Sequence, residues 1–274
     1  MWEKIKKIDK GHAQLPLLKF LKDSTYRIFV SDRSPENKSF IRKFDFDIKT
    51  KKSFNHSFFA SGVDGGFDSD GVMTSCFVDN NFYYTAWKKN KDKYKLSICL
   101  FKTDFETIFD RKISIEDDHL CCSPFIIKKD FWRMWFISSK DCGDWTSFGP
   151  RYTLRYASSN DGENWIQKEI NFDRSKDEVF SRPFVKFNQG IWQMWYSYMI
   201  LEKNKSYKIG YAESTDGINW KRLDNLVGIQ PSNEGWDSRS IAFPYVISYD
   251  GCDFMFYSGN NFGKEGIGYA FREL

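Results

Sequence analysis

Residues 182–220 read RPFVKFNQGIWQMWYSYMILEKNKSYKIGYAESTDGINW. Three runs in this stretch, 185–187, 192–198 and 207–213, are rich in β-branched and aromatic residues and predict strands of half-buried type. The pair Asp216-Gly217 suits a tight turn that needs positive φ, and Trp220 opens the next strand. Four antiparallel strands in about forty residues make one blade of a β-propeller.

The same phrase recurs along the chain. SPFIIKKDFWRMWFISS (123–139) with RYTLRYASSNDGENW (151–165) precedes it, and FPYVISYDGCDFMFYSGNN (243–261) with EGIGYA (265–270) follows. Looser copies are DGVMTSCFVDNNFYYTAW (70–87) with KYKLSICLFKT, and LPLLKFLKDSTYRIFVSDR (15–33) with KSFIRKFDFD. Pro124, Pro183 and Pro244 return at intervals of about 60 residues, and about 55 residues per copy lies in the range of repeat architectures. A two-sheet sandwich uses similar strands, but repetition of one ordered phrase favours an all-β, five-bladed β-propeller of four-stranded antiparallel blades around a central channel. One domain is expected over 1–274, with blades at roughly 12–59, 62–115, 116–172, 176–225 and 233–274. The last blade lacks an outermost strand, and the leader 1–11 is the segment expected to supply it and close the ring.

Composition narrows the class. The chain is 41% hydrophobic and 28% charged, in the range of a globular protein with a sizeable core. Its 27 Phe, 14 Tyr and 10 Trp suit the gaps between twisted sheets. Net charge is +4, from 41 basic and 37 acidic residues mixed along the chain, which gives little reason to expect nucleic acid. No apolar run reaches the length of a membrane span, and MWEKIKKIDKG lacks the apolar core of a secretory signal. Six cysteines (76, 99, 121, 122, 142 and 252) show no CxxC spacing. Reduced thiols and a cytoplasmic location are therefore expected. Three histidines are too scattered for a zinc site. The absence of a P-loop, a GxGxxG after a strand and a GxSxG elbow argues against nucleotide hydrolases, dinucleotide enzymes and serine hydrolases.

In a propeller the first strand of each blade lines the channel, so polar residues just before each blade's Pro, or its equivalent, are the ones to inspect. They are His12 and Gln14; Asp68 and Asp70; His119 and Ser123; Glu178, Ser181 and Arg182; Asp237 and Arg239. Charges gathered around a narrow axis are costly unless paired or used. The structural alternative for any one of them is an ion pair tying blade tops, Asp237 with Arg239 or Glu178 with Arg182. Arg33, Arg182 and Arg239 can offer fork-shaped donors to an anionic ligand, with His12 as an acid or base. Trp145, Trp236 and Tyr196 are candidate platforms for a sugar ring, although core or loop packing is the commoner role of such aromatics. The insert SKDCGDWTSFGPR makes Trp145 the most exposed of them. Asn260 and Asn261 can hydrogen-bond hydroxyls or build the turn. The Asp161-Gly162 and Asp216-Gly217 turns are assigned to structure.

FDSDGVM (67–73), SRPFV with WQMWYSY, IGYAESTDGINWKR, and WDSRSIAFPYV with FMFYSGNNFGKEGIGYA resemble the five-bladed propellers of the arabinanase, invertase and levansucrase superfamily. More closely, they resemble its glycosidase-like members associated with bacterial polysaccharide biosynthesis. The resemblance implies a carbohydrate-related ligand in a funnel at the ring axis. The superfamily's hydrolases carry an acid on each of the first three blades, and this chain departs from that pattern. HAQLP has no carboxylate, Asp68 and Asp70 best match the orienting position, and CCSPF stands where the acid-bearing strand would be, with Glu116, Asp117 and Asp118 only upstream. Glycoside hydrolysis needs two flanking carboxyl groups, and Asp70, Glu178 and Asp237 are the candidate acid, base and stabiliser from three other positions. The expected function is a carbohydrate-active, glycosidase-like enzyme that cleaves or transfers a glycosyl unit on a sugar, sugar-phosphate or nucleotide-sugar. The alternative is a non-catalytic carbohydrate-binding propeller that has lost its acids. No cofactor or metal is predicted, and an axial Ca²⁺ is left open, as is oligomeric state.

Overall fold

Short runs rich in apolar residues form the sheets of the protein, some amphipathic and some buried on both faces. In Thr25–Arg33, Tyr26, Ile28, Phe29 and Val30 are buried while Thr25 and Arg27 keep partial contact with solvent. The computed structural model describes residues 1–9, 11–91, 93–116, 120–140, 150–201 and 204–274. The strands in chain order are β1 (Glu3–Asp9), β2 (Gln14–Lys22), β3 (Thr25–Arg33), β4 (Ser39–Asp47), β5 (Lys52–Ser61), β6 (Gly71–Val78) and β7 (Asn81–Asn90). Next come β8 (Lys93–Thr103), β9 (Ile108–Ile115), β10 (Leu120–Lys128), β11 (Trp132–Ser139), β12 (Thr153–Ser159), β13 (Ile166–Lys168) and β14 (Asn171–Phe172). The chain ends with β15 (Glu178–Asn188), β16 (Ile191–Ile200), β17 (Asn204–Ser214), β18 (Asn219–Arg222), β19 (Ala242–Tyr249), β20 (Cys252–Ser258) and β21 (Ile267–Glu273).

Pairing is between sequence neighbours and almost wholly antiparallel. The meanders are β2-β3-β4-β5, β6-β7-β8-β9, β10-β11-β12-β13, β15-β16-β17-β18 and β19-β20-β21. The first two join through one parallel bridge, Ser39 to Gly71. β1 lies antiparallel on β21 as the outermost strand of the last meander. The opening strands close a loop of contacts: β2 with β6, β6 with β10, β10 with β15, β15 with β19, and β19 with β2. That circuit is a β-propeller. No helix among the described residues is long and apolar enough to cross a membrane.

Aromatic pairs fill the wedges between neighbouring meanders. Phe29 meets Phe82 edge-on at 5.3 Å, Tyr83 meets Trp165 at 6.4 Å, Trp135 meets Trp192 at 5.3 Å, and Phe46 meets Phe256 at 6.0 Å. Such pairs add about 0.5–1.5 kcal/mol each beyond the area they bury.

The inner strands share one irregularity. Leu15, Ser123, Arg182 and Phe243 adopt positive φ (55°, 53°, 48° and 59°), each directly before a proline. Each sits in a β-bulge of its strand. The left-handed region costs a residue with a Cβ roughly 1–2 kcal/mol. The surroundings offset that strain. Ser123 N–H donates to Thr85 Oγ1 (2.9 Å) and Phe243 N–H to Ser197 Oγ (2.7 Å), each hydroxyl belonging to the preceding meander. Thr74 N–H likewise donates to Ser31 Oγ (2.9 Å). The bulge thus aims a backbone donor that a regular ladder would have consumed.

Candidate functional site

One lateral row of residues builds a recess beside the inner mouth of the ring. Gln14 on β2 pairs with Ser31 on β3, near the end of that strand at Arg33. Arg33 pairs with Ser39 on β4, Ser39 with Gly71 on β6, Gly71 with Trp87 on β7, and Trp87 with Leu96 on β8. The join requires glycine at 71. A Cβ there would lie 2.1 Å from Ser39 Oγ and 2.3 Å from Trp87 Nε1. With no side chain in the way, Trp87 Nε1 donates to Ser39 Oγ at 2.6 Å and locks the indole across the seam.

Arg33, Asn37, Met73, Trp87, Tyr94 and Leu96 line a cavity of about 260 Å³ at this seam. The Arg33 guanidinium lies 5.4 Å from the Trp87 ring centroid. Its Nη1 donates to Asn37 O (3.1 Å) and Oδ1 (3.3 Å), and no carboxylate among the described residues pairs with it. Burial lowers its pKa from the ordinary arginine value. His12, two residues before β2 begins, has a buried Nε2 with no hydrogen-bond partner among the described residues. Burial lowers its pKa; Asp32 opposes this, while the charges of Arg33, Lys264 and Arg42 push further down. The imidazole is therefore held neutral at pH 7.

The rim continues toward the axis. Leu15, Tyr207, Ala242 and Phe243 form a small apolar cluster with Met73 and Met199 against it. Tyr207 shares a hydrogen bond with Ser181. Residues 260–263 form a turn in which Asn261 and Phe262 are both left-handed, and half-exposed Phe262 stands edge-on to Tyr207 at 5.5 Å. Gly263 O receives Ala13 N–H at 2.9 Å, which seats this turn beside His12.

The carboxylates proposed for catalysis occupy separate networks and none touches another. Asp70 accepts the Lys89 N–H (2.7 Å) and lines a neighbouring hollow of about 510 Å³ with Ser34, Lys38, Phe58 and Asp64. Glu178 is buried against Arg222 (2.8 Å), which also holds Asp224. Burial would raise the Glu178 pKa, but the Arg222 fork and the Ser175 N–H outweigh it and hold the carboxyl below the usual range. Asp237 is buried between Lys4 Nζ (2.7 Å) and Tyr257 OH (2.9 Å). Asp68 is buried against Arg111 (2.9 Å) and Tyr84. The ion pairs considered from sequence, Asp237 with Arg239 and Glu178 with Arg182, are not the ones formed. Arg239 is exposed and pairs with Glu265 at 2.6 Å.

Arg182 is fully buried and reaches from β15 to β6 and β2, donating to Thr74 O (2.9 Å) and Pro16 O (3.3 Å). It closes the axis at the level of the bulges, without a carboxylate partner among the described residues. Tyr196 is buried in the aromatic core with its hydroxyl on Asp224. Trp236 stacks on Tyr257 at 5.2 Å. Asn260 is buried and builds its loop, accepting the Arg239 and Ser240 N–H groups (2.7 and 3.1 Å). Trp145, His119, Asp117, Asp118 and Cys142 lie outside the described residues. No cluster of three or more His, Cys, Asp or Glu suited to a metal occurs among the described residues. Sequence reading singled out His12, Gln14 and Arg33 but missed Trp87, Tyr94, Met73 and Phe262. Met73 ends the FDSDGVM motif, which was the available signal.

Solved structures with the same course of chain include a thermostable family-43 glycoside hydrolase, at TM-score 0.73 and 12% identity over 97% of this chain and 91% of that one. An endo-arabinase from Bacteroides thetaiotaomicron superposes at TM-score 0.67 and 12% identity over 99% and 97% of the two chains. The Penicillium chrysogenum α-L-arabinanase complexed with arabinobiose gives 0.62 and 13% over 100% and 98%. The fold is that of the glycoside hydrolase propellers. No protein-family model matches the chain. The uncharacterized protein Rv1502 of Mycobacterium tuberculosis is 28% identical over 284 residues, covering 96% of this chain and 93% of that protein.

Proposed function

We propose that this chain is a five-bladed, glycosidase-like propeller that binds a carbohydrate at the mouth where His12, Gln14, Arg33 and Tyr207 converge. It does so without the paired-carboxylate hydrolysis that the fold supports elsewhere. The observation that carries this reading is the division of polar groups. Asp68, Glu178 and Asp237 are buried in ion pairs, while at the mouth His12 Nε2 has no partner and only Nη1 of Arg33 is engaged among the described residues. A hydrolase needs a carboxyl pair on either side of the scissile bond, about 5–9.5 Å apart, and free to exchange protons. A carboxylate locked to arginine is a poor proton donor.

The competing reading keeps Asp70, Glu178 and Asp237 as acid, base and stabiliser, and is favoured by the hydrolases and arabinanases among the structural likenesses. One experiment separates them. The protein is titrated calorimetrically with mono- and oligosaccharides and incubated with the same sugars as aryl glycosides. Binding without release of the aryl group is the expected result. Release that disappears in Asp70→Asn, Glu178→Gln or Asp237→Asn would replace the binding reading with the enzymatic one. Absence of both binding and release would remove both.

A further inference from the structure

The recess at the seam of the first two meanders has a chemistry that a neutral sugar does not explain. We infer that it is a subsite for the anionic group, carboxylate or phosphate, of a charged sugar, an inference that rests on the carbohydrate-binding reading above. A guanidinium kept half-buried without a counter-ion costs free energy unless something compensates it. Arg33 is in that position. The Asn37 loop takes Nη1, and Nε and Nη2 make no hydrogen bond to the described residues. Those two donors are the parallel pair that grips a carboxylate or phosphate in bidentate fashion.

The surrounding charges favour an anion. Asp32, the nearest carboxylate in sequence, is engaged by Arg42 Nε (2.8 Å) and by the Arg33 N–H (2.7 Å). Asp70 on the far side of the seam is capped by the Lys89 N–H. Lys89 Nζ lies 5.9 Å from the Tyr94 ring centroid, adding positive charge at the rim. Glu116, one residue beyond β9, pairs with Lys95, and Glu36, in the loop that takes Arg33 Nη1, is exposed to solvent. Half-buried Tyr94, tilted 38° against buried Trp87 at 5.9 Å, gives a flat apolar face for the C–H side of a pyranose or furanose. Met73 and Leu96 complete the wall. The cavity of about 260 Å³ holds one sugar residue, not an oligosaccharide. The buried, unpartnered Nε2 of His12 lies within the field of the same arginine.

The test compares four probes by isothermal calorimetry on the full chain: glucose, glucuronate, glucose 1-phosphate and inorganic phosphate. The two charged sugars should bind at least about tenfold more tightly than glucose, as expected for a charge-assisted bidentate contact. Their affinity should fall with added salt. Arg33→Gln should abolish that preference and Arg33→Lys should restore only part of it, because a point charge lacks the fork. Lys128→Gln, at the exposed pair with Asp79 away from the recess, should leave it intact. Equal affinity for glucose and glucuronate would overturn the anionic subsite while leaving carbohydrate binding in place. Inorganic phosphate binding as tightly as glucose 1-phosphate would show an anion site without a sugar wall and overturn it as well. Failure of every sugar to bind would overturn both readings. Arg33→Lys retains the charge over the Trp87 ring, so it keeps the test decisive if Arg33→Gln does not fold.

Discussion

Arg182 carries a full charge into the centre of the ring, where its hydrogen bonds to the described residues go to backbone carbonyls. Burial pulls its pKa down to about 10, and its Nε has no partner. Two opposing effects therefore meet at one side chain: it fills the axis and satisfies Thr74 O and Pro16 O, yet its charge is desolvated without compensation. Truncation separates them. Arg182→Ala removes both volume and donors and should cost roughly 3 kcal/mol or more. Arg182→Met keeps most of the volume and discards the charge, so it should lose distinctly less. Urea unfolding midpoints of the two variants decide this, and equal losses would show that the carbonyl contacts, not the filling of the axis, dominate.

At the scale of elements, the two Asp-Gly turns act as latches between meanders. Asp216 Oδ1 accepts the Ile218 and Asn219 N–H groups, both at 2.8 Å, and Asp161 Oδ1 does the same for Glu163 and Asn164. Each turn then offers its glycine carbonyl to the preceding meander: Gly217 O to Trp135 Nε1 (2.7 Å) and Gly162 O to Tyr83 OH (2.8 Å). Burial pushes the Asp216 carboxyl up, but the Asn219 and Ile218 amides and the Ser214 hydroxyl prevail and hold it at about 2. A carboxylate depressed in the folded state contributes stability that is fully present above its unfolded value, about 4, and is lost as pH falls through the folded one. Asp216→Asn should thus cost on the order of 1 kcal/mol at pH 7. The gap between variant and parent should close as pH falls from about 4 toward 2. Thermal midpoints across that range provide the check; a constant gap would place the effect in sterics instead of charge.

The whole ring depends on a pairing between its ends. β1 covers the edge of β21, Lys4 neutralises buried Asp237, and buried Trp2 lies under the Arg272 guanidinium at 4.6 Å. Deleting residues 1–9 uncovers a strand edge and leaves a buried carboxylate without its cation. A fall in Tm on the order of 10 °C is expected, from several kcal/mol at about 2–4 °C each for a chain of this size. Self-association through the bared edge should accompany it, read by calorimetry and light scattering. A truncated chain that stays monomeric and melts with the parent would show that β1 is an accessory strand.

Fold class was legible in the sequence because strand periodicity, Pro spacing and the Asp-Gly turns are local signals, repeated often enough to be unmistakable. The polar character of His12, Gln14 and Arg33 was legible for the same reason. What no local signal encodes is which charges meet. Glu178 with Arg222, Asp68 with Arg111 and Lys4 with Asp237 join residues 44, 43 and 233 positions apart. The recess around Arg33 exists only because Gly71 lets β4 and β6 approach, bringing Trp87 from another meander over the guanidinium. The sequence alone determined an all-β repeat and a set of polar candidates, since periodicity and turn chemistry act over a few residues. Tertiary structure alone decided which of those candidates are neutralised by an ion pair and which are not, since Coulomb pairing and desolvation depend on distances in space.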